Sequence, residues 1–277
     1  MKQVTQAEAK KILLSVVQEI HKICEENQFR YTLIYGTLLG AVRHQGFIPW
    51  DDDLDIAMPR PDYQRFVEYC RTHDTPFSLK CIETDSRYGY LFAKACDKNT
   101  VLIEKHANRH GVDFGLYVDI FPIDGLGDTT KDAQKKLASM RLGRELLVAA
   151  QWRHYFKSTT HPWYYEPIRF CIFLISRFVS HEKLIRKITQ QYEAVDVDRA
   201  KYVGIMCGAY RNREIMERDV YLEFCDTQFE GVRLRSLQNS DRYLTTIYRN
   251  YRQLPPEEKR VARHTFSVYY KENCENE

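Results

Sequence analysis

The residues best suited to chemistry are four aspartates in one short segment. Asp51, Asp52, Asp53 and Asp55 lie within residues 50–58, where every other side chain is apolar. Like charges packed this closely repel one another unless a cation offsets them. Carboxylate oxygens are the ligands that Mg²⁺ and Mn²⁺ prefer in proteins. The segment therefore predicts a divalent-metal site, with a solvated acidic turn as the alternative.

Alternation along a strand would divide these carboxylates between two faces. Residues 54–58 read as a strand, and successive side chains of a strand point to opposite faces. Asp51, Asp53 and Asp55 then share one face, whereas Asp52 points away. We therefore expect Asp53 and Asp55 to be metal ligands.

A glycine and a threonine upstream offer a place for phosphate. Gly36 lets an anion approach the backbone closely, and Thr37 supplies a hydroxyl where a helix begins. Helix N-termini favour bound phosphate because their N–H groups and dipole point toward it. Ordinary helix capping is the alternative.

One further carboxylate, Asp119, stands in the apolar run 117–121, inside the strand candidate 112–121. A lone carboxylate in such a strand needs a partner, because burying an unpaired charge is costly. A metal shared with Asp53 and Asp55 would supply that partner. A salt bridge to an arginine or a lysine is the alternative.

The elements around these residues predict an α+β fold. Thr5 and Glu8 form a capping box, and apolar residues at helical spacing predict a helix over 6–27. Alternating and β-prone runs predict strands at 31–35, 54–58, 77–83, 90–96, 100–104 and 112–121.

Punctuating residues divide these elements. Gly36 ends the first strand, Pro61 opens a helix, and Pro122 closes the last strand. We expect the strands between residues 77 and 104 to form a meander. After residue 128 the chain is helix-prone, at 129–151, 163–193 and 241–251.

Bulk properties exclude several classes of protein. The 277 residues are 44% hydrophobic and 29% charged, which excludes a disordered chain. The net charge of +3, without a run of basic residues, argues against a nucleic-acid partner. The N-terminus lacks an apolar signal segment, and we find no apolar run of the roughly 18 residues that a span requires. We expect a cytoplasmic protein.

The order of these features resembles the nucleotidyltransferase superfamily. Residues 35–60, from Tyr-Gly-Thr through Trp-Asp-Asp-Asp-Leu-Asp to Pro-Arg, resemble the signature of the LicD-type phosphocholine transferases, which are similar to fukutin and its relatives. Residues 92–100 and 118–125 extend the match, and residues 243–264, ending at His264, fit the C-terminal pattern of that family.

This resemblance implies a fold and a division of the chain. Residues 1–128 would form a nucleotidyltransferase-like core, a mixed β-sheet flanked by helices. Residues 129–277 would form a mostly helical region that completes the active site and binds the acceptor.

The resemblance also implies a reaction. Phosphocholine, or a similar phospho-alcohol, would pass from CDP-choline or a related CDP-alcohol to a hydroxyl of a cell-surface glycan precursor, such as lipopolysaccharide or teichoic acid, and CMP would leave. Mg²⁺ or Mn²⁺ would bind Asp53, Asp55 and Asp119. Asp119 or Asp51 would take the proton of the acceptor hydroxyl.

Several side chains are candidate phosphate ligands on the same grounds. Gly36 and Thr37 would cradle a phosphate, and Arg43, His44 and Lys94 would contact it. The alternatives are a surface charge for Arg43 and an ordinary loop histidine for His44. Lys94 lies among apolar neighbours, which favours a functional role.

The aromatic and apolar segment 163–179, flanked by arginines, has two interpretations. Its composition is typical of a helix at a membrane interface, where it would reach a lipid-linked glycan acceptor. A buried core helix or an oligomer contact is the alternative.

Two other functions compete with the phospho-alcohol transferase. A nucleotidyltransferase that uses an NTP on a small-molecule or nucleic-acid acceptor would have the same carboxylates. A non-catalytic binding module would have lost some of them, but the expected aspartates are all present.

Overall fold

A mixed β-sheet forms the centre of the protein and carries helices on its faces. A computed structural model describes residues 1–158, 162–261 and 266–272; the motif residue His264 lies outside them. The fold is α+β, as the sequence predicts.

The elements within the described residues have the following bounds. The α-helices are α1 (Gln6–Asn27), α2 (Tyr35–His44), α3 (Arg60–Thr72), α4 (Thr130–Ser139), α5 (Arg141–Gln151), α6 (Glu166–Ser176), α7 (His181–Glu193), α8 (Arg218–Leu222) and α9 (Ser240–Tyr248). The strands are β1 (Thr32–Leu33), β2 (Asp55–Pro59), β3 (Phe77–Lys80), β4 (Ala93–Asp97), β5 (Thr100–Glu104), β6 (Tyr117–Gly127), β7 (Tyr202–Gly204), β8 (Met216–Glu217), β9 (Phe224–Phe229), β10 (Val232–Leu237) and β11 (Phe266–Tyr270).

The central strands are arranged in the order β1-β2-β6-β4-β3. Strands β2 and β6 run parallel, and the other neighbours in this order run antiparallel. The C-terminal half of β6 pairs with β7, which pairs with β8. Strand β2 is buried along its whole length because β1 and β6 flank it and α2 and α3 pack against it.

Helix α1 begins as the sequence predicts. The Thr5 hydroxyl accepts a hydrogen bond from the Glu8 backbone N–H, and the Glu8 carboxylate accepts one from the Thr5 N–H at 2.8 Å. The buried residues of α1 recur at helical spacing along one face, which packs against β4, β6 and β10.

Helix α2 departs from the sequence prediction. The predicted strand 31–35 is only two residues long, and Gly36 lies inside α2 rather than ending a strand. Tyr35 begins the helix with a φ of 46°, which reverses the chain immediately after β1. Its phenolic side chain is buried, and this burial supports a backbone conformation that a tyrosine rarely adopts.

Two predictions about the strands are wrong. The meander ends at β4, because β3 and β6 already occupy both edges of β4; β5 pairs with β11 instead. Pro122 does not close β6. It lies beyond Ile120, the last residue that pairs with β4, so its missing N–H is not needed on that side.

The chain after residue 128 contains α4 to α9 and also the short strands β7 to β11. Strand β6 ends at Gly127 and α4 begins at Thr130, where the sequence places the end of the core. The division into two functional regions at residue 128 stays a prediction. Among the described residues, none of the helices has the length and apolar character needed to cross a membrane.

Candidate active site

Strand pairing brings three charged side chains into one row. Asp55 of β2 is the register partner of Asp119 of β6, and Asp119 is the register partner of Lys94 of β4. Side chains directly opposite on neighbouring strands share a face and lie roughly 5 Å apart. The sheet therefore holds two carboxylates and one ammonium group side by side.

Lys94 and Asp119 form a buried ion pair. Lys94 Nζ lies 2.6 Å from Asp119 Oδ1 and 3.5 Å from the centroid of the Tyr117 ring. Burial acts to lower the pKa of Lys94, but the Asp119 carboxylate and Tyr90 raise it above its ordinary value. The salt bridge that the sequence left as the alternative for Asp119 is thus present. The roles of Asp119 at a metal and of Lys94 at a phosphate stay predictions.

Asp55 is buried close to other carboxylates. Burial raises its pKa well above the ordinary value, and Asp53, Asp119 and Asp51 raise it further. The backbone N–H of Asp55 donates to Thr37 Oγ1 at 2.8 Å. Thr37 is itself buried, so this contact fixes the start of β2 against α2.

The loop before β2 carries the remaining carboxylates. Asp51, Asp52 and Asp53 each offer an oxygen, and these oxygens all lie within 4.8 Å of one another. The prediction that Asp52 points away is therefore wrong. Its premise was strand alternation, but β2 begins only at Asp55, so residues 51–54 are not bound by that rule.

Gly36 allows the acidic loop to approach α2. A Cβ atom at Gly36 would lie only 2.6 Å from Asp51 Oδ2. Ile34, at the N-cap of α2, provides no side-chain hydrogen bond to the first turn. The helix N-terminus and the acidic loop therefore face each other closely. Phosphate binding by Gly36 and Thr37 stays a prediction.

Gly36→Ala is expected to lower turnover about a hundredfold while leaving the stability of the fold nearly unchanged. The new methyl group would meet the end of the Asp51 side chain, which can move aside, and would thereby displace a site carboxylate. Gly40→Ala is the matched control: there the methyl group would meet the backbone carbonyl of Gly46, so stability should fall. Unchanged turnover in Gly36→Ala would argue against a role for the Asp51 position. Melting temperature and steady-state kinetics measure both effects.

Arg43 and His44 lie at the C-terminal end of α2, about 10 Å along the helix axis from Gly36. Arg43 Nε donates to His44 Nε2 at 2.9 Å, and Arg43 Nη1 donates to the Tyr251 carbonyl at 3.1 Å. Burial lowers the pKa of His44, and Arg43 lowers it further. The His44 ring also contacts Trp50, which precedes the acidic loop. Phosphate binding by this pair stays a prediction.

A buried carboxylate behind α2 was not singled out from the sequence. Glu214 Oε1 accepts hydrogen bonds from the Tyr35 hydroxyl at 2.8 Å and from the Tyr210 N–H at 3.1 Å, and Oε2 accepts one from the Tyr221 hydroxyl at 3.2 Å. Burial raises the pKa of Glu214 to about 7, although these hydrogen bonds lower it. Glu214 sits in an otherwise polar stretch, so no local pattern marks it as buried.

Glu214 is expected to make stability fall as the pH rises from about 5 to 8. The pKa of Glu214 is about 7 in the folded state and about 4.5 in the unfolded state. At low pH the protonated carboxyl therefore stabilises the fold, and this contribution is lost when the group ionises. As the pH rises over this range, the free energy of unfolding of Glu214→Gln should therefore increase by about 3 kcal/mol relative to that of wild type. Urea unfolding across this range measures the difference.

Glu217→Gln provides the control for that titration. Glu217 is only partly buried, and the hydrogen bond from Arg242 lowers its pKa, so its ionised form is the favoured one in the folded state. The control should lack the gain expected for Glu214→Gln. The difference in the free energy of unfolding between wild type and Glu214→Gln should change between pH 5 and pH 8. A difference that is the same at both pH values would contradict the expected titration.

The aromatic segment 163–179 lies mostly on the surface. Trp163 is 84% exposed and Phe178 is 91% exposed, and Ser176 is the buried residue of α6. The core-helix alternative is therefore wrong. The exposed large side chains of this segment form a surface that we call the aromatic patch: Trp163, Tyr164, Tyr165, Ile168, Phe170, Leu174, Ile175 and Phe178.

Comparison with known proteins agrees with this architecture. Residues 28–163 match the family model described as LicD/FKTN/FKRP, nucleotidyltransferase domain. The lipopolysaccharide cholinephosphotransferase LicD of Haemophilus influenzae is 27% identical over 97% of this chain and 99% of its own length. The ribitol 5-phosphate transferase FKRP of Mus musculus is 31% identical over 36% of this chain and 18% of its own length. Mannosyltransferase regulator 4 of Saccharomyces cerevisiae is 28% identical over 49% of this chain and 12% of its own length.

Three features define a nucleotidyltransferase-like domain: the mixed sheet, the acidic loop of Asp51, Asp52 and Asp53, and the carboxylate row of Asp55 and Asp119. The matched region includes α2, the acidic loop, β2, β4 and β6, so it covers every carboxylate of the site. Residues 28–163 match the LicD/FKTN/FKRP nucleotidyltransferase domain, the family that the sequence resembles.

Proposed function

We propose that this protein transfers phosphocholine, or a similar phospho-alcohol, from a CDP-alcohol to a hydroxyl of a cell-surface glycan precursor and releases CMP. The observation that carries the proposal is the convergence of the acidic loop, Asp55 and Asp119 beside the N-terminus of α2. A relative that aligns over 97% of the chain is named as a lipopolysaccharide cholinephosphotransferase, which supports the same reaction class.

The site has the donor set that a divalent cation requires. Asp51, Asp52 and Asp53 present closely spaced oxygens, and Asp55 is buried next to them at a cost that a cation would offset. Mg²⁺ or Mn²⁺ would therefore be held by Asp53, Asp55 and Asp119, with Asp51 and Asp52 adjacent. When bound, such a cation would neutralise charge on the diphosphate and on the departing CMP.

The remaining groups would bind and orient the substrates. Gly36 and Thr37 place the N-terminus of α2 against the diphosphate, and its N–H groups favour an anion there. Lys94 holds Asp119 in place through their ion pair. The proton of the acceptor hydroxyl would pass to Asp51 or to Asp119. Arg43 and His44 would contact a more distant phosphate oxygen.

The test is direct measurement of the released nucleotide. The protein is incubated with Mg²⁺, a lipopolysaccharide or teichoic-acid precursor and, in turn, CDP-choline, CDP-ethanolamine or CDP-ribitol. We expect CMP from at least one of these donors, its loss in EDTA, and its recovery when Mg²⁺ is restored. Pyrophosphate from an NTP, with no CMP from any CDP-alcohol, would instead establish a nucleotidyltransferase.

We expect the protein to act at the cytoplasmic face of the cell membrane, with the aromatic patch at the lipid surface. Tryptophan and tyrosine favour the headgroup region, and apolar side chains gain free energy when lipid covers them. Trp163→Ser with Phe178→Ser should weaken binding to phosphatidylglycerol-containing vesicles about tenfold. Co-sedimentation measures this binding.

The exposed Leu254 offers a matched control, because Leu254→Ser changes an apolar side chain outside the aromatic patch and should leave vesicle binding unchanged. Vesicle binding that survives the double substitution would contradict the membrane role. A concentration-dependent dimer that the double substitution dissociates would assign the patch to an oligomer contact.

A further inference from the structure

A cavity of about 620 Å³ lies close to Lys94, the ammonium partner of Asp119. Tyr90 and Phe92 line it, and the centroids of their rings lie 5.2 and 5.0 Å from Lys94 Nζ. Tyr210 also lines the cavity, and its ring centroid lies 5.5 Å from that of Tyr35 at the start of α2. The volume is typical of a site for a small molecule or a sugar.

Positive charge dominates the cavity wall. One carboxylate, Glu145, stands against four guanidinium groups: Arg141, Arg144, Arg211 and Arg213. Arg211 pairs with Glu145 at 3.6 Å, whereas Arg144 and Arg213 donate to backbone carbonyls. Among the residues that the structure describes, the guanidinium group of Arg141 has no ion pair or hydrogen bond. The wall therefore suits an anionic ligand.

A buried amide also faces this cavity without a partner. Gln151 is 4% exposed, and its Nε2 has no hydrogen-bond partner within the described part of the chain. Gly89 makes room for it, because a Cβ atom at Gly89 would overlap the Gln151 side chain. An unpaired buried donor costs free energy that a ligand oxygen would recover. The amide is thus a second and independent sign of a ligand.

We propose that this cavity binds an anionic sugar of the acceptor glycan, one that bears a phosphate or a carboxylate. Arg141 and Arg213 would hold the charge, and Gln151 would donate to a sugar oxygen. The proposal rests on the proposed function, because that reaction decides which substrate enters. The diphosphate of a CDP-alcohol belongs at the aspartates, its cytidine is neutral, and a choline cation would be repelled by this wall. The acceptor is the substrate that fits.

The position of the cavity suits a lipid-linked acceptor. Val148 lines the cavity and is 55% exposed, and Leu142 on the same helix is 63% exposed. Their helix, α5, packs against α6, which carries much of the aromatic patch. One wall of the cavity is therefore formed by the helix that packs against α6.

Calorimetry with three sugars tests the binding directly. Glucose 6-phosphate, glucuronate and glucose are titrated into the full-length protein in EDTA, so that no divalent cation can draw a phosphate to the aspartates. We expect glucose 6-phosphate or glucuronate, or both, to bind at least about tenfold more tightly than glucose, and the two anionic arms identify the preferred charge. Equal binding of the three sugars, or no binding, would overturn the proposal.

Variants place the binding in the cavity. Arg141→Ala should weaken binding of the anionic sugar about tenfold, and Arg141→Lys should weaken it less. Arg186→Ala is the control: it removes an exposed arginine of α7 that pairs with Glu182, and it should leave the binding unchanged. Gln151→Leu should weaken binding without lowering the melting temperature, because it removes an unpaired buried donor. Unchanged affinity in both Arg141→Ala and Gln151→Leu would overturn the assignment.

Kinetics separate this proposal from the proposed function. If the protein is not a phospho-alcohol transferase, no CDP-alcohol will yield CMP, whatever the sugars bind. If it is one and the cavity proposal is wrong, Arg141→Ala will release CMP with an unchanged KM for the glycan acceptor. We expect the acceptor KM of Arg141→Ala to rise about tenfold and the KM for the CDP-alcohol to stay constant.

Discussion

Asp55→Asn is expected to lower turnover severely and, at the same time, to raise the melting temperature of the protein in EDTA. Asp55 is buried, and three neighbouring carboxylates raise its pKa further, so its ionised form destabilises the fold when no cation is bound. Asparagine keeps the shape and removes the charge. The hydrogen bond from the residue 55 N–H to Thr37 Oγ1 involves only the backbone of residue 55 and should persist.

The same substitution should lower kcat by on the order of a thousandfold, because it removes a charge that the proposed metal needs. Mg²⁺ should raise the melting temperature of wild type but raise that of Asp55→Asn much less. Asp74→Asn is the matched control, since Asp74 is an exposed aspartate paired with Lys98 and should retain turnover and the Mg²⁺ effect.

Each outcome of this experiment has a clear meaning. Retained turnover in Asp55→Asn would refute the assignment of Asp55 to the active centre. An equal Mg²⁺ effect in wild type and Asp55→Asn would place the metal elsewhere. Loss of activity together with a lower melting temperature would mean that Asp55 serves the fold rather than the reaction.

The part of the site that could be predicted from the sequence is its local part. Neighbouring residues in the sequence are enough to identify the acidic segment, Gly36-Thr37 and Asp119 as candidates. A carboxylate in an apolar strand, for example, is unusual whatever the fold. The orientation of Asp52 was predicted wrongly because alternation applies only inside a strand, and β2 begins after the loop.

The contacts that complete the site depend on pairing over long distances in sequence. Asp119 meets Lys94 only because β6 lies between β2 and β4, and nothing in either strand specifies that order. Tyr35 and Glu214 are 179 positions apart. The cavity likewise combines segments near residues 90, 141 and 210, so its charge is invisible in any single stretch.

Helix α6 shows a different limit. An apolar and aromatic helix has the same composition whether a protein core, a partner or lipid covers it, so the sequence left the core interpretation open. Only the folded structure reveals that most of the apolar side chains of α6 are exposed, while Phe173 packs against Trp152.

Lys94→Met is expected to destabilise the protein by about 3 kcal/mol, because it leaves the carboxylate of Asp119 without its cation next to Asp55. Methionine keeps much of the packing against Tyr117, so the loss measures the charge rather than a cavity. Lys98→Met is the matched control: the carboxylate that pairs with Lys98, Asp74, is 96% exposed, and this loss should stay below about 1 kcal/mol. Urea unfolding measures both.

The combination with Asp119→Asn separates the two interpretations of Asp119. In EDTA, Lys94→Met with Asp119→Asn should recover most of the stability that Lys94→Met alone loses, because the charge that lost its ammonium group is also removed. If Asp119 is also a metal ligand, Mg²⁺ should stabilise Lys94→Met more than it stabilises wild type, because the cation then replaces the missing ammonium group. This additional stabilisation should be absent from the double variant. A Mg²⁺ effect that is the same in all three proteins would leave Asp119 with the salt bridge alone and would limit the metal to the aspartates of β2 and the loop before it.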